Sequence, residues 1–275
     1  MLLKIFKPLT PSLRHTKLLK NLNLAINNPE KSLLKKYIPK TGRNNQGIIT
    51  SRHKTGGHKK RYRIIDFTFK NYNIPGIVIN LEYDPLRTAN IALIHYIDGT
   101  KGYILAPEFL MKKMILFKSY NVGTSFFLFQ IPVGSEIYNI EFIPGNGGKI
   151  ARAAGTSAKL LLKEKNHVII LLNSTELRIF SNKCKAILGK VSNSQYKNIN
   201  YGKAGRKHWL GIRSKVRGSA MNAVDHPHGG GEGKSSIGLI QPRTPWSKIA
   251  LGMKTRKKNK KSNKFILKSR HEKKI

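Results

Sequence analysis

The chain has 275 residues, and its 52 Lys and Arg stand against 13 Asp and Glu, a formal net charge of +39. Self-repulsion on that scale requires a polyanionic partner. A single cysteine, Cys184, excludes a disulfide framework and any cysteine-rich zinc module, and the longest apolar runs, such as Val168 to Leu172, are far too short to span a bilayer.

The charge is partitioned along the chain. Residues 1–63 carry 16 basic and 1 acidic side chains, residues 64–142 carry 6 and 7, residues 143–200 carry 10 and 2, and residues 201–275 carry 20 and 3. A near-neutral apolar middle lies between two strongly basic arms. The middle holds enough apolar clusters to fold alone, whereas the arms cannot offset their chain entropy without a partner. Glycines and aromatics interleaved with the arm cations point to arms ordered against phosphate backbones.

In chain order, Met1 to Ser12 has neither the unbroken apolar stretch and cleavage site of a secretory signal nor the composition of a transit peptide, so no targeting segment is expected there. Residues 16–26 predict a short helix. Arg63 to Phe69 reads as a strand with Ile65, Phe67 and Phe69 on one face, and Gly76 to Tyr83 alternates cleanly. Ala89–Ile97 and Tyr103–Ala106 flank Asp98-Gly99, a strong hairpin signal. A second group of strands follows over Phe126–Ile131, Glu136–Phe142, His167–Leu172, Glu176–Phe180 and Cys184–Leu188, with turns at Asn173-Ser174-Thr175 and Pro144 to Gly148. Many short strands without long helical periods predict two small barrels divided near residue 125. After about Ser192 strand periodicity vanishes into an extended, glycine-punctuated basic arm. No internal repeat is visible.

Three motifs invite enzymatic readings. Gly229 to Ser235 looks like a phosphate-binding loop, but His228 stands where that pattern needs glycine and no strand precedes it. Asp225-His226-Pro227-His228 lacks the three or four convergent ligands of a metal site, with only His208 nearby. Cys184 sits in an apolar strand and reads as core rather than as a nucleophile. The simpler reading is close backbone approach to RNA, which glycine permits for want of a Cβ, with imidazoles stacking on bases or donating to phosphate. Arg52 to Arg63 and Gly202 to Trp209 repeat that blend of cation, imidazole, glycine and aromatic.

These segments resemble the large-subunit ribosomal protein L-two family. The resemblance is carried by Gly42-Arg43-Asn44-Asn45, Arg52-His53, Gly56-Gly57-His58-Lys59, Glu82-Tyr83-Asp84-Pro85, Arg152 to Ala158, Gly202-Lys203-Ala204-Gly205-Arg206, Val216-Arg217-Gly218, Ala220-Met221-Asn222, Val224 to Gly233, Thr244-Pro245-Trp246 and Lys254-Thr255-Arg256. Residues 108–130 depart from the family pattern. The resemblance implies an all-β fold: an OB-fold barrel followed by an SH3-like barrel, with long basic extended arms. The expected division is a basic N-terminal extension at 1–60, the OB-fold domain at 61–125, the SH3-like domain at 126–198 and an rRNA-binding arm at 199–275.

On that footing the residues expected to touch RNA fall into clusters. The first holds Arg43, Arg52, His53, Gly56, Gly57, His58, Lys59, Lys60, Arg61 and Arg63; Arg152 stands alone. The arm supplies Lys203, Arg206, Trp209, Arg213, Arg217, Asn222, His226, His228, Gly229, Gly230, Gly231, Lys234, Trp246, Lys254 and Arg256. The expected role is a structural one: direct binding of large-subunit rRNA, support of assembly and subunit association, and a place near the peptidyl-transferase region. Partners are rRNA, neighbouring ribosomal proteins and the small subunit, with no membrane. No catalytic residue, protein-held metal or cofactor is expected beyond magnesium ions bound mainly by rRNA. Lys outnumbers Arg 38 to 14, the signature of an AT-rich genome, and stretches such as Leu93 to Tyr96 look like plastid members; a bacterial cytoplasm is the alternative. A free-standing single-stranded RNA chaperone is the competing function, since OB-folds bind such strands.

Overall fold

Among the residues described in the computed structural model (2–20, 24–25, 29–39, 41–117, 119–257 and 259–271), every buried apolar side chain lies between Ile65 and Val191. The chain divides into two units. A barrel unit comprises residues 1–38, 59–203 and 264–275, and an arm unit comprises residues 39–58 and 204–263.

In the barrel unit β1 (Leu2–Ile5) pairs antiparallel with β2 (Lys17–Lys20), and β3 (Leu34–Lys36) with β4 (Arg61–Arg63). Four strands, β5 (Gly76–Glu82), β6 (Ile91–Tyr96), β7 (Lys101–Leu105) and β8 (Ile115–Leu116), form the OB-type sheet in the order β7-β6-β5-β8. The SH3-like barrel follows with β9 (Ser125–Phe127), β10 (Glu136–Tyr138), β11 (Ile140–Glu141), β12 (Gly148–Ile150), β13 (Ala158–Lys163), β14 (His167–Leu171), β15 (Leu177–Ser181) and β16 (Lys185–Leu188). Its main sheet runs β17-β15-β14-β13-β10-β16-β9, where β17 (Ile266–Lys268) returns from the far C-terminal end.

Three apolar clusters hold this unit. One fills the SH3-like barrel around Leu128, Ile131, Ile137, Leu160 and Ile170; another fills the OB-type sheet around Val78, Ile94 and Leu116. The third joins the barrels, packing Ile65, Phe69, Ile91, Tyr103 and Leu105 against Tyr138, Ile187 and Val191. There the buried Tyr138 hydroxyl donates to the Leu105 carbonyl at 3.0 Å, and burial raises its pKa well above the ordinary phenol value. The all-β fold with two barrels is therefore the observed one, and the Asp98-Gly99 and Asn173-Ser174-Thr175 turns join β6 to β7 and β14 to β15 as expected.

Several local expectations fail for identifiable reasons. Lys17–Lys20 is a strand, not helix, because it pairs with β1 and its end exchanges backbone bonds at 2.9 Å with Asn200; residues 21–23 and 26 lie outside the described set. The strand expected over Arg63–Phe69 ends at Arg63. Beyond it the Asp66 carboxylate accepts from the Thr68 amide and hydroxyl and from the Lys70 amide, each at 2.9 Å, folding a turn that competes with the ladder. Ile65 and Phe69 reach the core nonetheless. Ser125–Phe127 is shorter than the expected Phe126–Ile131, and the basic arm is not free of regular structure, since it contains α1 (Ala204–Trp209) and β17.

Candidate nucleic-acid interface

The arm unit carries 18 basic and 2 acidic side chains in 80 residues and, among its described residues, no buried apolar side chain. Backbone bonds hold it instead. Residues 53–58 run antiparallel to 209–214: the Arg213 amide donates to the His53 carbonyl at 3.1 Å, the Thr55 amide to Gly211 at 3.0 Å and the His58 amide to Trp209 at 2.9 Å. The His53 imidazole Nδ1 lies 3.0 Å from the Ser214 carbonyl. Gly57 and Gly211 sit at the point of closest approach, both left-handed (φ 63° and 91°). A Cβ on Gly57 would meet the Gly211 nitrogen at 2.7 Å, and one on Gly211 the Thr55 carbonyl at 2.8 Å. Gly57 thus serves chain against chain. Gly56 has no such constraint, with only Thr41 Cγ2 at 3.8 Å.

His226 and His228, expected to face RNA, are both buried, 8% and 9% exposed. The His228 amide donates to His226 Nδ1 at 3.0 Å. His228 itself bridges two segments: its Nε2 accepts from the Arg243 amide at 2.7 Å, which leaves the proton on Nδ1, 3.1 Å from the Ile237 carbonyl. The two rings lie 5.1 Å apart. A side chain on Gly218 would overlap the His226 ring, and one on Gly229 would overlap the Asn222 carbonyl. The imidazoles therefore shape the loop from 218 to 243, and the surface they support exposes Arg213, Arg217, Asn222, Gly231 and Lys234. Arg43, Arg52, Trp246, Lys254 and Arg256 are exposed too, while His53, Arg206, Gly229 and Gly230 are half-buried.

Within the barrel unit the expected residues are spread more widely. Lys59, Arg61 and Lys203 are exposed, and Lys60 and Arg63 half-buried. Arg61 and Arg63 belong to β4, where the Arg63 guanidinium donates to the Arg61 carbonyl at 2.9 Å. Arg152 lies over the Phe67 ring at 4.5 Å and donates to the Gly148 carbonyl at 3.3 Å. Sequence reasoning missed three positions that shape the interface. Gly211 stands outside any recognised run, Gly218 belongs to the Val216-Arg217-Gly218 segment but not to the expected contact positions, and Arg243 acts through its backbone amide, which no side-chain pattern reveals.

Cys184 is buried, and burial pushes its thiol up to about 11, away from the thiolate a nucleophile needs. Among the described residues no cluster of three His, Cys, Asp or Glu is placed to hold a metal, and no helix is long and apolar enough to cross a membrane. Ser235 donates its hydroxyl to the Gly230 carbonyl at 3.0 Å, closing the glycine loop on itself.

Two small barrels, together with a cationic unit that has no buried apolar side chain among its described residues, define a polynucleotide-binding protein. Residues 30–116 match the family model described as Ribosomal Proteins L2, RNA binding N-terminal domain, and residues 121–247 match Ribosomal Proteins L2, C-terminal domain. The chain belongs to the ribosomal protein L2 family. It is a structural, RNA-binding constituent of ribosomes, with rRNA and other ribosomal proteins as its partners.

Proposed function

We propose that the chain binds large-subunit rRNA directly through the exposed cations of the arm unit and the Arg61 to Arg63 edge, near the peptidyl-transferase region, and that it supports assembly and subunit association without a catalytic site of its own. The proposed division of labour is a basic extension at 1–60, RNA-docking barrels at 61–125 and 126–198, and a threading arm at 199–275. A plastid ribosome is the proposed setting, on the strength of the 38 Lys against 14 Arg. One observation carries the reading: 18 basic side chains stand on a unit with no buried apolar core among its described residues. Such a unit gains its stability from phosphate contacts and counterion release.

The test is the salt dependence of binding to a large-subunit rRNA fragment. Affinity is expected to fall by roughly 10³-fold or more between 50 and 200 mM salt. Replacing Arg213, Arg217, Lys254 and Arg256 together by Gln should lower the log–log slope by roughly 3. A slope unchanged by the four substitutions removes the arm from the phosphate backbone.

A further inference from the structure

Residues 42–51 and 242–251, 200 positions apart in the arm unit, fold into the same turn. Arg43 bridges Ile49 as Arg243 bridges Ile249. The amide of Asn44 donates to Ile48 at 3.0 Å, as Thr244 does to Lys248 at 2.7 Å; Thr50 donates to Gly42 as Ala250 does to Pro242, both at 2.8 Å. The side-chain oxygen of Asn44 accepts from the Ile48 amide at 2.9 Å, and that of Thr244 from the Lys248 amide at 3.2 Å. Even the left-handed position repeats, at Gly47 (φ 79°) and Ser247 (φ 59°). Only Arg and Ile coincide between the two sequences, so the repeat is one of backbone geometry.

Two matched turns have two different tips. The first presents Asn45-Gln46 and the second Pro245-Trp246. Trp246 is 71% exposed, a costly placement for an indole unless something covers it. In the folded arm its mount is fixed: Pro245 sets its own φ, and backbone and side-chain hydrogen bonds close the turn beneath, among them that of the Arg243 guanidinium to the Ser247 carbonyl at 2.7 Å. Arg52, immediately after the first turn, holds its guanidinium over the indole, 5.6 Å from the ring centroid. A cation beside an open aromatic face suits a nucleobase with its phosphate attached. A base inside a duplex has both faces stacked on neighbours and cannot present one to an indole.

We propose that Trp246 and Arg52 form a stacking site for an unpaired nucleobase of single-stranded RNA, with the second turn as its fixed mount. The proposal rests on the rRNA-binding reading and narrows it to an unpaired nucleotide at this place.

The chain has two tryptophans, so Trp209→Phe in the full-length protein leaves Trp246 as the sole indole. Its fluorescence is titrated with a single-stranded oligoadenylate, with a duplex RNA of equal length and with inorganic polyphosphate, while anisotropy of labelled RNA reports total binding. The expected result is saturable quenching by the single strand alone. Trp246→Ala should weaken single-strand affinity by roughly 5- to 100-fold, Trp246→Phe less, and neither should change duplex affinity. Neither variant removes a bond of the turn, because none of those bonds uses the indole. RNA binding that leaves Trp246 fluorescence unchanged, or equal quenching by polyphosphate, overturns the stacking site and leaves the rRNA-binding reading intact. Failure of every RNA to bind overturns both.

Discussion

At Gly57 a methyl group would strike the Gly211 nitrogen and the Trp209 carbonyl, both 2.7 Å away, on a backbone that L-residues adopt at a cost of about 1–2 kcal/mol. At Gly56, one residue earlier, the same methyl meets an ordinary 3.8 Å neighbour. Gly57→Ala should therefore separate residues 53–58 from 209–214 and reduce affinity for an rRNA fragment by roughly tenfold, about 1.4 kcal/mol. Gly56→Ala should stay within about twofold of the native chain, and titration of both variants in one buffer checks the contrast. Equal losses at the two positions would mean that the pair is there for RNA approach after all. The sequence shows which residue types gather here but not which partner each serves. His226 and His228 illustrate the limit: imidazoles in a glycine run read as RNA contacts, yet His226 Nδ1 and both ring nitrogens of His228 are engaged by backbone groups of the same unit.

In β5 a register shift between Val78 and Asn80 breaks the alternation, and beyond it a carboxylate turns inward. Val78 and Glu82 are buried on the same strand, and the Tyr103 hydroxyl of β7 donates to Glu82 at 2.8 Å. Burial raises the Glu82 carboxyl above its ordinary value, outweighing the Tyr103 bond and the nearby Arg63 charge. A carboxyl raised in the folded state adds stability below its unfolded value and loses it as pH rises through the folded one. Glu82→Gln keeps an oxygen acceptor for Tyr103 and has no charge to bury. The variant should be more stable than the native chain at pH 7, with the difference vanishing below about pH 4; urea midpoints at both pH values measure it. An advantage that grows on acidification would contradict the assignment. At this scale the sequence is legible where the ladder runs unbroken between a strand and its hairpin partner, as in β6 with β7 and β14 with β15. It misleads where another force competes. In β13 a register shift between Leu160 and Leu162 breaks the alternation, so the run of three leucines shows no period and the strand goes unseen. In β2 the segment Lys17-Leu18-Leu19-Lys20 has helical residue types, and pairing with β1 overrides them. For β17, only three residues long, the signal lies in its partner β15 rather than in its own composition.

The whole molecule combines an apolar barrel unit with a cationic unit of a different physical kind, and the difference predicts how the free protein behaves. Three buried clusters stabilise the barrels without help from RNA. The arm unit gains little from burial, its like charges repel, and its backbone bonds lie where water competes for them; net stabilisation of about 0.5–1.5 kcal/mol for each cannot offset an ordering cost of about 1–2 kcal/mol per residue. Amide exchange on the RNA-free chain should show strong protection in β5 to β7 and β13 to β16. The pairing partners at 53–58 and 209–214, and the His228 to Arg243 bridge, should exchange freely. Ile266 should be protected although it follows the arm unit in sequence, because β17 pairs with β15 across Arg178. Adding an rRNA fragment should then protect the amides of Thr55, His58, Arg213 and Arg243 together, since each closes a contact inside one unit. Strong protection of those four amides before RNA is added would show that backbone pairing alone folds the arm.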